Sequence, residues 1–321
     1  MTISHEQAEW FKSTFDQLTD NMERAVLGKR HVVRLALTCL LSEGHVLLED
    51  FPGTGKTMLA RALANTVQGS HARVQFTPDL LPSDVTGVTI WDQSVGAFEF
   101  HPGPVFASIV LADEINRASP KTQSALLEVM EESAVTVDGV TRPVGSPFMV
   151  IGTQNPIEQA GTYRLPEAQL DRFLIRTSVG HPDPEAALAI LAAVGTRAGR
   201  PVMTPMLTPA AVANLVDQAA RVYVDTSIMR YIAAVVAATR TAYGVTLGVS
   251  QRGAIALLHT ARTLAASRSR HFVVPDDVKS LAEPVLAHRI SIDPEAEYGG
   301  LTAADVVRDV LQRVPPPLGH A

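Results

Sequence analysis

Cysteine is nearly missing from this chain. The single thiol, Cys39 in an apolar stretch (32–41), excludes an internal disulfide and fits a buried structural role in a reducing compartment. Long apolar runs are missing too: none reaches 18 residues, and the N-terminus opens polar with Ser4, His5, Glu6 and Gln7. Neither a membrane span nor a secretory signal is therefore expected, and the cytoplasm is the expected location. Positive charge is in short supply, with 27 Lys+Arg against 33 Asp+Glu and a net charge of -6. That balance argues against non-specific nucleic-acid binding. What the chain does have is length and apolar content: 321 residues at 46% hydrophobic suffice for one large domain and a smaller one.

The few lysines (Lys12, Lys29, Lys56, Lys121 and Lys279) direct attention to the stretch from Val46 to Ala60. Val46 to Leu48 reads as a short buried strand that breaks at Pro52-Gly53, and a helix-forming segment resumes near Thr57. Strand, glycine turn and helix together make a phosphate cradle. Gly53 and Gly55 permit positive φ, so several backbone N–H groups converge on one point, and the positive end of the new helix faces it. Lys56 adds a mobile charge for the outer phosphates, and the Thr57 hydroxyl is placed to hold magnesium. Pro52, Gly53, Thr54, Gly55, Lys56, Thr57 and Met58 are thus expected to bind a nucleoside triphosphate. One departure is Asp50, which stands where the full pattern has glycine.

A second strand, Ala107 to Ala112, ends in Asp113-Glu114, and ligands collect at such tips in parallel sheets. Asp113 is expected to orient magnesium through its water, and Glu114 to accept the proton of an attacking water. A third strand, Phe148 to Gly152, delivers Asn155 level with Glu114. There it could position that water or touch the γ-phosphate, although an asparagine at a strand end is more often a turn former. Upstream, Val26, Leu27 and Gly28 form either an adenine-packing surface or a plain turn between helices.

Ser4 and Gln7 have capping-box spacing ahead of Ala8, Phe11, Phe15 and Leu18, which predicts an initial amphipathic helix. Two hairpins interrupt the αβ pattern, at about 88–100 and 134–143. The first carries aromatics on a two-residue period, suited equally to packing on the domain or to a task of its own. Gly180-His181-Pro182-Asp183-Pro184 marks a boundary, beyond which everything reads helical, with starts at Pro184, Pro209, Ser227, Ser250 and Val274.

Taken together, the chain resembles a MoxR-type AAA+ ATPase from about Val26 to Ile292. The resemblance is carried by Leu-Leu-Glu-Asp-Phe-Pro-Gly-Thr-Gly-Lys-Thr (47–57), Leu-Ala-Asp-Glu-Ile-Asn-Arg-Ala (111–118) and Lys-Thr-Gln-Ser-Ala-Leu-Leu-Glu (121–128). It continues in Gly-Thr-Gln-Asn-Pro (152–156), Leu-Pro-Glu-Ala-Gln-Leu-Asp-Arg-Phe (165–173) and Val-Pro-Asp-Asp-Val-Lys (274–279). It implies an α/β P-loop core with a parallel sheet flanked by helices (residues 1–180, with both hairpins as insertions) and an all-α lid (181–321). The family often lacks the first glycine of the loop, as here. The resemblance makes Asn155 the sensor 1 residue, Arg172 the finger reaching a neighbouring subunit's nucleotide, and Arg252 sensor 2. Gln251 and Gly253 flank Arg252 where the family more often has Ser-Pro-Arg-Ala, and Arg164 is a rival finger where the family has proline.

By the same resemblance, the expected function is magnesium-dependent ATP hydrolysis in a homo-oligomeric ring, typically a hexamer, with the hairpins contacting substrate. The clients of such rings are partner proteins to be remodelled or matured, often ones carrying a von Willebrand factor A domain. Two other readings compete. A nucleic-acid motor is opposed by the net charge and by hairpins whose one basic side chain is Arg142, and a nucleotide-gated scaffold without turnover is opposed by the intact Glu114, Asn155 and Arg172 set.

Overall fold

A computed structural model describes residues 2–51, 53–155, 163, 165–195 and 203–317. Pro52 and Arg164 lie outside the described residues. In chain order the elements are α1 (His5–Glu23), α2 (Arg30–Leu40), β1 (Val46–Glu49), α3 (Lys56–Thr66), β2 (His71–Gln75), α4 (Pro82–Thr86), β3 (Gly87–Asp92), β4 (Ala97–Pro102), β5 (Ile109–Asp113), α5 (Pro120–Glu132), β6 (Ala134–Val137), β7 (Val140–Pro143) and β8 (Met149–Gln154). They continue with α6 (Glu167–Leu170), β9 (Ile175–Thr177), α7 (Pro184–Gly195), α8 (Pro209–Ala220), α9 (Thr226–Thr239), β10 (Val245–Leu247), α10 (Gln251–Ala266), α11 (Pro275–Leu286), β11 (Ser291–Ile292), α12 (Pro294–Tyr298) and α13 (Ala303–Arg313). Two compact units result: one is Leu18–Leu165 with Thr177–Ala213, the other Met1–Gln17, Pro166–Arg176 and Asn214–Ala321.

The main sheet has five strands in the order β2-β5-β8-β1-β9, the first four of them in the first unit. The pairs β2–β5, β5–β8 and β1–β8 are parallel. The core strands are continuous apolar runs because they are covered on both faces, and β5 is buried from end to end. Register decides which residues meet at the tips: Gln75 lies beside Asp113, Ala112 beside Gly152, and Glu49 beside Gln154. The sheet's polar residues thereby cluster along one edge.

Near the opposite edge, the buried ring of His45 bridges two elements, accepting from the Val150 N–H at 2.9 Å on Nδ1 and placing Nε2 3.0 Å from the Met130 carbonyl. The first bond leaves the proton on Nε2, where it can serve the second. Burial pushes this imidazole down to about 4, so the ring is neutral at neutral pH.

Both hairpins form where expected. Asp138-Gly139 makes the tight turn of β6–β7, with φ of 53° and 75°. In β3–β4, Gly87 cannot be replaced cheaply, since an added Cβ would sit 2.4 Å from the His101 carbonyl oxygen. Trp91 and Phe98 face each other across this hairpin with ring centroids 5.1 Å apart, and both are exposed. Phe100 lies under the Arg142 guanidinium at 4.0 Å, which ties one hairpin to the other.

The second unit is mainly helical. The N-terminal cap forms as expected, with the Gln7 N–H donating to Ser4 Oγ at 3.1 Å and the Ser4 N–H to Gln7 Oε1 at 2.9 Å. Phe11 and Phe15 are fully buried. At the start of α11 the buried Asp277 accepts both Nη atoms of Arg270 at 2.5 Å, Arg268 at 3.0 Å and the Val274 N–H at 3.0 Å. The expectation that everything beyond the boundary is helical needs one correction: β10 and β11 pair antiparallel. They span only Val245–Leu247 and Ser291–Ile292, too short for any alternating pattern to show.

Candidate active site

The loop after β1 reaches α3 through two left-handed residues, Gly53 at φ 88° and Gly55 at φ 97°. A Cβ at either position would meet no atom within 4 Å, so the requirement for glycine is the backbone angle rather than space. Lys56 and Thr57 open α3, whose free N–H groups point out of its first turn. The Lys56 ammonium donates to the carbonyl oxygens of Asp50 at 3.1 Å and Phe51 at 3.4 Å. Thr54 donates to the Phe51 carbonyl at 3.3 Å.

Asp50 is the residue that breaks the glycine pattern, and its environment shows why it can. Its side chain is buried and accepts from Ser178 Oγ at 2.8 Å, the Val179 N–H at 2.6 Å and the Gly180 N–H at 2.8 Å. A buried carboxylate with three donors is well compensated. It fastens the mouth of the loop to the segment leaving β9.

The register described above brings the acidic pair to the same place. Gly53, Gly55, Lys56, Thr57 and Met58 line a cavity of about 370 Å³ together with Arg73, Gln75, Asp113 and Glu114. Asp113 accepts from Thr153 Oγ1 and from Arg73 Nη2, both at 2.7 Å. Glu114 sits in the left-handed region at φ 55°, a conformation that costs a non-glycine residue roughly 1–2 kcal/mol. It is held there by its N–H donating to Thr153 Oγ1 at 2.9 Å. Its carboxylate accepts from Gln75 Nε2 at 3.0 Å and Arg117 at 2.8 Å. Strain of this kind collects where geometry serves chemistry.

Among the described residues, the cavity wall includes neither Val26, Gly28, Thr54 nor Asn155. Val26 is buried, and Gly28 turns at φ 69° against Ala186. Lys29 donates to the His181 carbonyl at 2.5 Å, and the His181 ring stacks on Phe51 with centroids 6.5 Å apart, so this turn reaches the edge of the loop. Asn155 follows β8 directly. Arg172, just after α6, and Arg252, in the first turn of α10, both belong to the helical unit. Arg73, Gln75 and Thr153 are the site residues that sequence reasoning missed; an ordinary strand end carries no motif to single them out.

Thr57 and Asp113 are hard oxygen donors lining the same cavity, of the kind magnesium takes when phosphates and waters complete its shell. Among the described residues no cluster of three His, Cys, Asp or Glu could hold a metal by itself, and no helix is long and apolar enough to cross a membrane.

Comparison with known proteins identifies the family. Residues 45–175 match the ATPase family associated with various cellular activities (AAA), and residues 237–310 match the AAA lid domain. Chaperone MoxR1 of Mycobacterium tuberculosis is 40% identical over 317 residues, covering 96% of this chain and 84% of its own. The chain belongs to the MoxR family of AAA ATPases. Protein MoxR of Paracoccus denitrificans is 33% identical, covering 85% of this MoxR-family chain and 87% of its own. YeaC of Bacillus subtilis, a protein of uncharacterised function, is 47% identical over 93% of both chains. The crystal structure of a candidate ATPase from Cytophaga hutchinsonii superposes with a TM-score of 0.91 at 36% identity, covering 98% of both chains. The AAA fold of this MoxR-family chain, with its parallel sheet and C-terminal lid, is the one its sequence resembles.

Proposed function

We propose that this chain hydrolyses ATP with magnesium as a homo-oligomeric ring, a hexamer, in the cytoplasm, and that turnover remodels or matures a partner protein. Partners carrying a von Willebrand factor A domain are the first to test. The observation that carries the reading is the single cavity shared by Lys56, Thr57, Asp113 and Glu114. The loop N–H groups and Lys56 bind the triphosphate, with Pro52 completing the loop and Val26 and Gly28 bordering the base. Thr57 and Asp113 hold magnesium, which when bound neutralises charge on the β- and γ-phosphate oxygens. Glu114 takes the proton of the attacking water, and Asn155 orients that water. Arg172 acts on the neighbouring subunit's nucleotide, a contribution worth about three to five orders of magnitude in such systems. Arg252 couples nucleotide state to the lid. Hydrolysis is thereby conditional on assembly.

Steady-state phosphate release tests this. Glu114→Gln is expected to lower turnover by roughly 10² to 10⁴ while ATP affinity is kept, as loss of a general base does. Ordinary turnover in that variant removes Glu114 from the mechanism, and phosphate release that magnesium does not stimulate removes the cation site. A rate that rises with DNA and falls with salt would favour the nucleic-acid motor instead.

A further inference from the structure

Arg289 has no role in the mechanism above, yet it is sunk into the helical unit with its side chain 3% exposed. Its Nε–H donates to Asp171 Oδ1 at 2.6 Å, and Nη2 donates to the carbonyl oxygens of Asp171 at 3.0 Å and Phe173 at 2.8 Å. Nη1 reaches the Leu174 carbonyl at 3.4 Å and also contacts the Val285 carbonyl. One planar fork therefore grips the backbone on both sides of Arg172, a geometry that a lysine cannot reproduce.

Local structure explains why such a brace is needed. The helix before Arg172, α6, is a single turn of four residues and cannot hold itself in shape. A group that must act on a neighbour's phosphate loses rate steeply when displaced by about 1 Å. His288 packs into the same place, its Nε2 2.6 Å from Arg289 Nη1 and 2.9 Å from the Phe173 carbonyl; burial, then the adjacent Arg289 charge, pushes its pKa well down. Ser250 Oγ, at the cap of the helix carrying Arg252, donates to the other Asp171 oxygen at 3.3 Å. The Gly253 departure belongs to the same arrangement: an added Cβ would lie 2.4 Å from Val249 Cγ1 and 3.0 Å from Arg289 Cδ.

We propose that the Asp171–Arg289 pair is a positioning device that sets the Arg172 guanidinium for catalysis in the neighbouring subunit. Buried ion pairs are poor contributors to net stability, so the value of this one lies in placement. The inference rests on Arg172 being the finger.

Subunit mixing tests it. Asp171→Asn is nearly isosteric, and Arg289→Lys keeps the charge but loses the fork. Both are expected to keep ATP affinity and lose most turnover as pure rings. Mixed with Glu114→Gln subunits, which lack the base but carry an intact Arg172, they should recover at least about tenfold over either protein alone. A fault in the variant's own nucleotide site, or in its fold, would not recover. Arg172→Ala in the same mixture is the control: if it keeps full turnover as a pure ring, or is not rescued, the finger assignment fails. If Arg172→Ala behaves as expected while Asp171→Asn and Arg289→Lys turn over normally, lose turnover without rescue, or both fail to fold, the positioning role alone is overturned.

Discussion

The charged groups at the strand tips and those of the helical unit are built on opposite terms. At the strand tips Arg73 and Glu114 keep 49% and 25% of their side-chain surface exposed, whereas in the helical unit Asp277 and Arg289 keep 0% and 3%. The tip residues are held by side-chain bonds, two each for Arg73 and Glu114, that lie within reach of water, phosphate or a cation able to replace them. The buried residues are surrounded by partners that nothing else can replace. The first arrangement suits groups that must change partners during a reaction cycle, and the second suits groups that must never move.

Asp277→Ala should show the second property at full strength. Removing one partner from a buried pair costs about 3–5 kcal/mol. Arg268 and Arg270 are partly exposed, which places the expected loss near the lower bound. A urea midpoint that moves by less than the equivalent of about 1 kcal/mol would dissolve the distinction.

Lys56→Met should show the first property. Loss of one preorganised charge at a developing anion lowers turnover by roughly 10² to 10³, while at a partly exposed side chain whose two partners are carbonyls of its own loop the stability change should stay below about 1 kcal/mol. A large drop in melting temperature would mean that the cradle is held together by its charges after all.

His45 asks whether the contrast belongs to the units or to burial itself, because it is a buried group inside the sheet unit. Its folded pKa is about 4 against 6.5 for the free ring. The unfolded chain thus binds a proton that the folded chain refuses, so this contribution is complete above pH 6.5 and is lost as pH falls from 6.5 toward 4. The loss should approach about 3 kcal/mol, and His45→Gln should flatten that part of the stability–pH curve. An unchanged slope in the variant would show that His45 takes up its proton without cost.

The parts of the site that were legible in the sequence are those whose chemistry demands a fixed local order. Gly53, Gly55, Lys56 and Thr57 fall within five residues because one turn of backbone must form the whole cradle. Asp113 and Glu114 are adjacent because one strand tip delivers both. The hairpins could be seen through Asp138-Gly139 and the alternation around Trp91. Arg73, Gln75 and Thr153 were invisible because their roles come from sheet register, which pairs residues 40 and 39 positions apart. Arg289 was invisible for a similar reason: an arginine on a turn after α11 reads as surface charge until the chain places it 118 positions back against Asp171. The positive φ of Glu114 leaves no trace in residue type at all.

The grip on Asp50 has a practical side. Ser178, Val179 and Gly180 are 128 to 130 residues downstream of that carboxylate, in a stretch that an engineer would choose for an affinity tag or a cleavage site. Any insertion there is expected to strip the donors from a buried anion and slacken the entrance to the loop around Lys56.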